Sequence, residues 1–292
     1  KHVGLNVAAD PLFTASYTGV SGGLVLFVAD DPGMHSSQNE QDTRLIARAA
    51  KIPVLEPSDS SECKSFAREA FQISEEFDTP VIVRLSTRVS HSQGAVELED
   101  RESYELKPYV KDTAKYVMMP GMAKKRHPLV EARMKKLGAF SETSPLNRIE
   151  WGDKKIGVIT GGISYQYARE AFGGVSYLKL GIVNPLPEKM IREFAGQVET
   201  VYVIEELDPF IEDQCRGMGL KVTGKELLPV TGEYSAGLLR SNILGKSEEK
   251  QNQLKDMIPA RPPVLCPGCP HRGTYYVLKK LKLNVSGDIG CY

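Results

Sequence analysis

The sequence predicts an α/β fold built on parallel sheets, and three observations carry that prediction. Short apolar runs recur between helical stretches. Polar, Gly- and Pro-punctuated loops follow the runs. The order strand, helix, strand, helix, strand appears in the first hundred residues and again after residue 150, which within one sheet implies right-handed parallel crossovers.

The elements follow in order. The chain starts as the tail of a strand-loop unit at residues 2–6. The run "LVLFVA" (24–29) is short and continuous, as a strand buried on both faces requires. "DDPGMHSSQNEQ" follows as a polar loop, "DTRLIARAA" (42–50) reads as a helix and "IPVLEP" (52–57) as a strand. Asp59 and Glu62 form a capping box for the next helix, whose apolar stripe is Phe66, Ala70, Ile73 and Phe77. "TPVIVRL" (79–85) is a further buried strand. In such sheets ligands bind at the carboxyl ends of strands, so the loops 2–6, 30–41 and 86–94 are the candidate site loops.

Residues 97–150 are charged and Pro-punctuated with little period, and read as a connecting segment with one basic helix. Between Lys107 and Lys136 nine Lys/Arg face two acids, which reads as a solvated helix face, with a polyanion patch as the alternative. A second α/β unit begins near Lys154: "KIGVITGG" is strand and glycine turn, "SYQYAREAF" helix, "VSYLKLG" strand, "NPLPEKMIREFAG" helix and "TVYVIEE" strand. The Gly161-Gly162 turn lacks the G-x-G-x-x-G spacing of a dinucleotide site. The pattern weakens from Gly219, and Pro259, Pro262 and Pro263 make a stiff spacer. "TYYVLKKL" (274–281) is a short helix, and "KLNVSGDIGC" (282–291) a strand and loop.

The length of 292 residues favours two domains, and 41% apolar with 25% charged residues is a globular composition. Lys+Arg and Asp+Glu both number 37, so no net charge recruits nucleic acid or membrane, and neither is expected as a partner. No apolar run is long enough to span a bilayer. Five cysteines argue against a disulfide scaffold and for a reducing, cytoplasmic compartment. Three of them, Cys266, Cys269 and Cys291, have the spacing C-x2-C-x21-C. The residues alone leave three readings open: three ligands of a metal or iron–sulfur cluster, a structural turn, or a dithiol at a helix start. Cys63 and Cys215 fall on predicted helices and read as bystanders; His271, beside Arg272, reads as a surface or anion-binding residue.

The segments "KHVGLNVAADPL", "VADDPGMHSSQNEQDTR", "STRVSHSQG", "GIVNPLPEKMI", "VIEELDPFIEDQ", "RPPVLCPGCPHRG" and "GDIGCY" span nearly the whole chain. Together they resemble the large (alpha) subunits of indolepyruvate:ferredoxin oxidoreductases, within the thiamin diphosphate-dependent 2-oxoacid:ferredoxin oxidoreductases. The resemblance implies an internal stretch of such a subunit. It comprises a pyrimidine-binding thiamin domain lacking its N-terminal part (1–98), a connecting segment (99–150) and a transketolase C-terminal-like α/β domain (151–228). A linker (229–262) and the start of a second, pyrophosphate-binding thiamin domain (263–292) complete it. By the same resemblance His35, Ser36, Gln38, His2 and Asn6 line the substrate side of the thiamin cleft. Ile289, Gly290, Cys291 and Tyr292 lie against the cofactor, and Cys266, Cys269 and Cys291 are cluster ligands. The implied activity is oxidative decarboxylation of arylpyruvates to aryl-acetyl-CoA. It uses thiamin diphosphate, Mg2+ and [4Fe-4S] clusters, with coenzyme A, ferredoxin and a smaller beta subunit as partners. The activating Glu and the Mg2+ motif of that family lie outside this stretch, which is expected to be inactive alone. Two alternatives are a related oxidoreductase for a non-aromatic 2-oxo acid and a non-enzymatic, metal-stapled interaction module.

Overall fold

The structure is a computed structural model that describes residues 1–101, 107–246, 265 and 267–286. Two compact units divide the chain, 1–247 and 248–292. The first opens with helices, α1 (His2–Val7) and α2 (Ala9–Thr18), where the sequence predicted a strand tail and loop. Alternation then sets in: β1 (Val25–Asp30), α3 (Thr43–Ala50), β2 (Val54–Leu55), α4 (Ser60–Phe77), β3 (Val81–Ser86) and the short α5 (Thr87–His91). The predicted loop 86–94 is thus largely helical, with Ser86 capping Val89 N. After α6 (Thr113–Tyr116) and α7 (Pro120–Thr143) comes β4 (Arg148–Glu150), then β5 (Asp153–Gly161), α8 (Gly162–Phe172), β6 (Val175–Leu180), β7 (Ile182–Asn184), α9 (Glu188–Ala195) and β8 (Thr200–Ile204). The helices α10 (Phe210–Gly217) and α11 (Ala236–Leu244) complete the unit.

Two four-stranded sheets result, ordered β1-β3-β2-β7 and β4-β6-β5-β8. Each has three parallel strands, as the alternation predicts, and one short antiparallel edge strand that no apolar run announced. β7 lies in sequence between β6 and β8 of the second sheet yet completes the first, pairing Val54 with Asn184. Asn147 holds that crossing, its Oδ1 accepting from Gly181 N and Ile182 N, each at 2.9 Å. One apolar core runs through both sheets, from Leu5, Val54 and Ile82 to Ile159, Leu178 and Phe194.

Helix α4 shows how local sequence and packing combine. Asp59 caps it, accepting from Glu62 N at 2.9 Å, and Phe66, Ala70 and Ile73 are buried. The expected box is only half made. Glu62 turns away from Asp59 and accepts from Ser58 N (2.8 Å), Lys179 Nζ (2.6 Å) and Arg148 Nη1 (2.9 Å). Lys179 is fully buried in β6, and burial drives its pKa down while Glu62 resists. A charge-paired carboxylate is worth more there than a second backbone cap.

Helix α7 corrects the reading of 97–150 as a segment of little period. Its buried face is Val130, Arg133, Leu137 and Ser141, a helical spacing of three and four. Half of that stripe is polar, so apolar periodicity could not reveal it. Arg133 also departs from the solvated-face reading, since it is buried. In the second unit α12 (His271–Lys280) matches the predicted short helix, and residues 283–286 carry no strand, against expectation.

Candidate functional site

The carboxyl ends of β2, β3, β5 and β8 meet in one cleft, lined by the charged side chains Arg44, Glu56, Arg84, Glu205 and Glu206 among others. Asp30 ends β1 and accepts from Thr43 N (3.0 Å) and from Arg84 Nε of β3 (2.6 Å). Arg84 Nη1 reaches Glu56 Oε1 at 2.7 Å. Arg44, only 1% exposed in α3, donates to Asp42 Oδ1 at 2.9 Å and to Glu205 Oε2, beyond β8, at 2.6 Å. Its Nη2 also donates to the carbonyls of Glu206 (3.0 Å) and Asp208 (3.2 Å), and the Phe210 ring lies 5.2 Å from the guanidinium. Glu205 meanwhile accepts from Ile211 N and Glu212 N, closing the amino end of α10.

Acids outnumber bases in this layer, and the environment sorts them. Burial would raise Asp42, but Arg44 and Arg84 bring it down to about 2. Burial raises Glu205 despite Arg44. Glu206, 6% exposed, is pushed by burial up to about 7, with one backbone bond from Tyr234 N (2.8 Å) opposing. It lines the cleft with Ser86, Ser164 and the Gly161-Gly162 turn. A carboxyl so placed can hold or release a proton near neutral pH. A Cβ on Gly161 would lie 3.1 Å from Glu56 Oε2, so the glycine turn makes room for a carboxylate, not for a pyrophosphate.

The loop 31–41 sits on the same strand ends. Asp31 organises it, accepting from His35 N (3.2 Å), Ser36 N (2.9 Å) and Thr87 Oγ1 (2.7 Å). Burial opposes these bonds, which still bring Asp31 down to about 2. Glu40 accepts from Gly33 N and from Gly232 N (3.0 Å), and Glu233 pairs with Arg88 and lies 3.4 Å from His35 Nε2. From α1, His2 Nε2 meets Asn39 Oδ1 at 3.0 Å, Gln41 Nε2 donates to the same oxygen at 3.0 Å, and Asn6 Nδ2 donates to Gln41 at 2.8 Å. Lys1 Nζ donates to Ser36 O at 2.5 Å. His2, Asn6, His35 and Ser36 therefore gather around one loop, with His35 exposed and His2 buried; Gln38 lies exposed on the same loop.

Sequence reasoning missed Arg44, Arg84, Glu205, Glu206 and Glu233. Two signals were available: an arginine inside the apolar run "VIVRLS", and the acid pair ending "VYVIEE". Cys266, Cys291, Ile289, Gly290 and Tyr292 lie outside the described residues, so the expected convergence of the three cysteines does too. Cys269 is half-buried just before α12, and Arg272 N donates to its carbonyl at 3.2 Å. Burial pushes the Cys63 thiol up to about 11 and Cys215 up to about 12, in keeping with inert positions. Among the described residues no group of three His, Cys, Asp or Glu side chains is placed to hold a metal ion, and no helix is long and apolar enough to cross a membrane.

Residues 28–141, which contain the loop and most of the first sheet, match the family described as "Pyruvate flavodoxin/ferredoxin oxidoreductase, thiamine diP-bdg". Along its whole length the chain is 40% identical to the indolepyruvate oxidoreductase subunit IorA of Archaeoglobus fulgidus, covering 51% of that protein. It is also 40% identical to the protein of the same name from Pyrococcus horikoshii, covering 50%. The chain is similar to IorA proteins along its whole length. It spans about half the length of these curated relatives. A solved structure, the 2-oxoglutarate:ferredoxin oxidoreductase from Magnetococcus marinus with 2-oxoglutarate, coenzyme A and succinyl-CoA bound, superposes with a TM-score of 0.60 at 14% identity, over 83% of this chain and 51% of that one. That likeness is one of fold.

Proposed function

We propose that this chain is part of an enzyme that oxidatively decarboxylates arylpyruvates such as indolepyruvate to aryl-acetyl-CoA, with ferredoxin as electron acceptor and a smaller subunit as partner. The 40% identity to IorA proteins along the whole chain carries the reading, and the loop 31–41 at the strand ends gives it a site. A buried polar atom at that loop, His2 Nδ1, has no partner and suits the polar edge of a pyrimidine ring. Thiamin diphosphate, when bound, supplies the nucleophilic carbon and the electron sink for decarboxylation. Cys269, with Cys266 and Cys291, would supply ligands to a [4Fe-4S] cluster. The work is cytoplasmic, as the cysteine usage suggests.

The chain's own residues orient and exclude. Asp31 holds the His35 and Ser36 amides, so the loop presents His35 and the Ser36 hydroxyl at a set height above the strand ends. Arg88 and Glu233 brace it from the side. Beneath, the Arg44 and Arg84 layer closes the floor against water, and Glu206 holds a proton at the cleft. In the complete enzyme, His35→Ala and Ser36→Ala are each expected to lower kcat/KM for indolepyruvate more than about tenfold, ~1.4 kcal/mol. Wild-type kinetics in both variants would remove the loop from the site. Reduction of ferredoxin with pyruvate or 2-oxoglutarate, and none with arylpyruvates, would overturn the substrate class.

A further inference from the structure

A groove between the carboxyl end of α4 and the middle of α7 holds a buried arginine with one unpartnered donor. Arg133 is 7% exposed, and three of its five N–H donors are used. Nη1 donates to Asp78 O at 2.9 Å, and Nη2 to Ser16 O at 2.8 Å and Ser16 Oγ at 3.1 Å. All three acceptors are uncharged. The Nε–H is buried and has no acceptor, and no ion pair reaches Arg133 among the described residues. The carboxylate of Asp78 is already claimed. Its Oδ1 accepts from Val20 N and Lys115 Nζ, each at 2.7 Å, and its Oδ2 lies 3.4 Å from Arg126 Nη2. Burial pushes Arg133 down to about 10; Asp78 resists, and Arg126 adds repulsion.

The groove itself is open and lined by Arg126, Arg133, Lys136, Glu76, Asp78 and Leu129. It shares no residue with the cleft at the strand ends. Three cations line it, a fourth binds Asp78, and only two carboxylates oppose them. The carboxylate of Asp78 that faces this buried guanidinium is shared with Lys115 and Arg126, which leaves the site short of negative charge. The Nε–H of Arg133 still lacks an acceptor, and an oxyanion would supply one together with negative charge.

We propose that this groove binds the oxyanion group of a small molecule, a phosphate or a carboxylate, against Arg133 and between Arg126 and Lys136, with Leu129 as the apolar wall for the rest of the ligand. The test titrates the chain with inorganic phosphate and, separately, acetate, at ionic strength held constant with chloride, reading the thermal midpoint and the binding heat. Saturable stabilisation by either ion is expected, and the tighter of the two identifies the head group. Arg133→Ala risks the fold by untying α7 from α2, so the decisive variant is Lys136→Ala, at an exposed position. It should weaken binding at least about fivefold, with Lys135→Ala, also exposed, as the unaffected control. A response no greater than that to chloride, or one equal in wild type and Lys136→Ala, would overturn the proposal.

Discussion

Glu206 shows how much a single buried residue can carry. Its ordinary pKa of 4.5 rises to about 7 in the fold, because burial disfavours the charged form. The folded chain therefore binds a proton more tightly than the unfolded chain between those values. This contribution to stability is fully present below pH 4.5 and is lost as pH rises through 7, on the order of 3 kcal/mol in all. Asp42 acts in the opposite direction and elsewhere: its pKa falls from 3.8 to about 2, so its contribution is present above 3.8 and lost as pH falls through 2. Glu206→Gln keeps an oxygen for Tyr234 N and removes the titration. Urea midpoints at pH 5 and pH 8 should then differ less in the variant than in the wild type. An unchanged difference would mean that another group titrates in that window.

At the scale of elements, close approach decides as much as propensity. Gly181 lies between β6 and β7, where the chain leaves one sheet for the other. A Cβ there would run into the Leu146 carbonyl and come within 2.8 Å of Phe66 Cζ on α4. The carbonyl belongs to the backbone and cannot swing aside. Gly181 N and O are also both engaged, with Asn147 Oδ1 at 2.9 Å and Glu56 N at 2.8 Å. Gly181→Ala is expected to destabilise the fold by about 2–4 kcal/mol, through overpacking and loss of the β7 pairing. The measurement is the denaturant midpoint. A loss below about 0.5 kcal/mol would show that the crossing is looser than the contacts indicate.

Across the whole molecule, the two sheets of the first unit are joined by charge as well as by β7. Arg44 comes from the first alternating stretch and Glu205 from the second, 161 residues away, and both are buried. Removing the guanidinium would leave Glu205 without its ion-pair partner, and Asp42 with only the longer contact to Arg84, in a dry layer. Arg44→Met should cost about 3–5 kcal/mol, the usual penalty for breaking a buried pair. Adding Glu205→Gln should recover part of that loss, since one orphaned charge goes with it. Chemical denaturation of the four members of this double-mutant cycle checks both statements. Strict additivity would mean that the two side chains do not act on each other.

Apolar period and capping chemistry already made much of this protein legible. β1, β3, β5, β6 and β8 stand where short apolar runs were read. The helices α3, α4, α8 and α9 stand where helices were read, α4 from a capping box and an apolar stripe. These signals are local, because a strand buried on both faces and a helix with one buried face each write their environment into adjacent residues. The loop "HSSQNEQ" was likewise singled out from its place after a buried strand. Other features could not be read in this way. Residues 2–7 form a helix whose buried members are His2 and Leu5, too few for a period. The buried stripe of α7 is half polar, and β7 is three residues long. Arg44, Arg84, Glu56 and Glu205 look like surface charges in one dimension. Only folding brings strand ends from distant stretches together, strips the water from five carboxylates and two guanidiniums, and turns ordinary charged residues into the floor of a cleft.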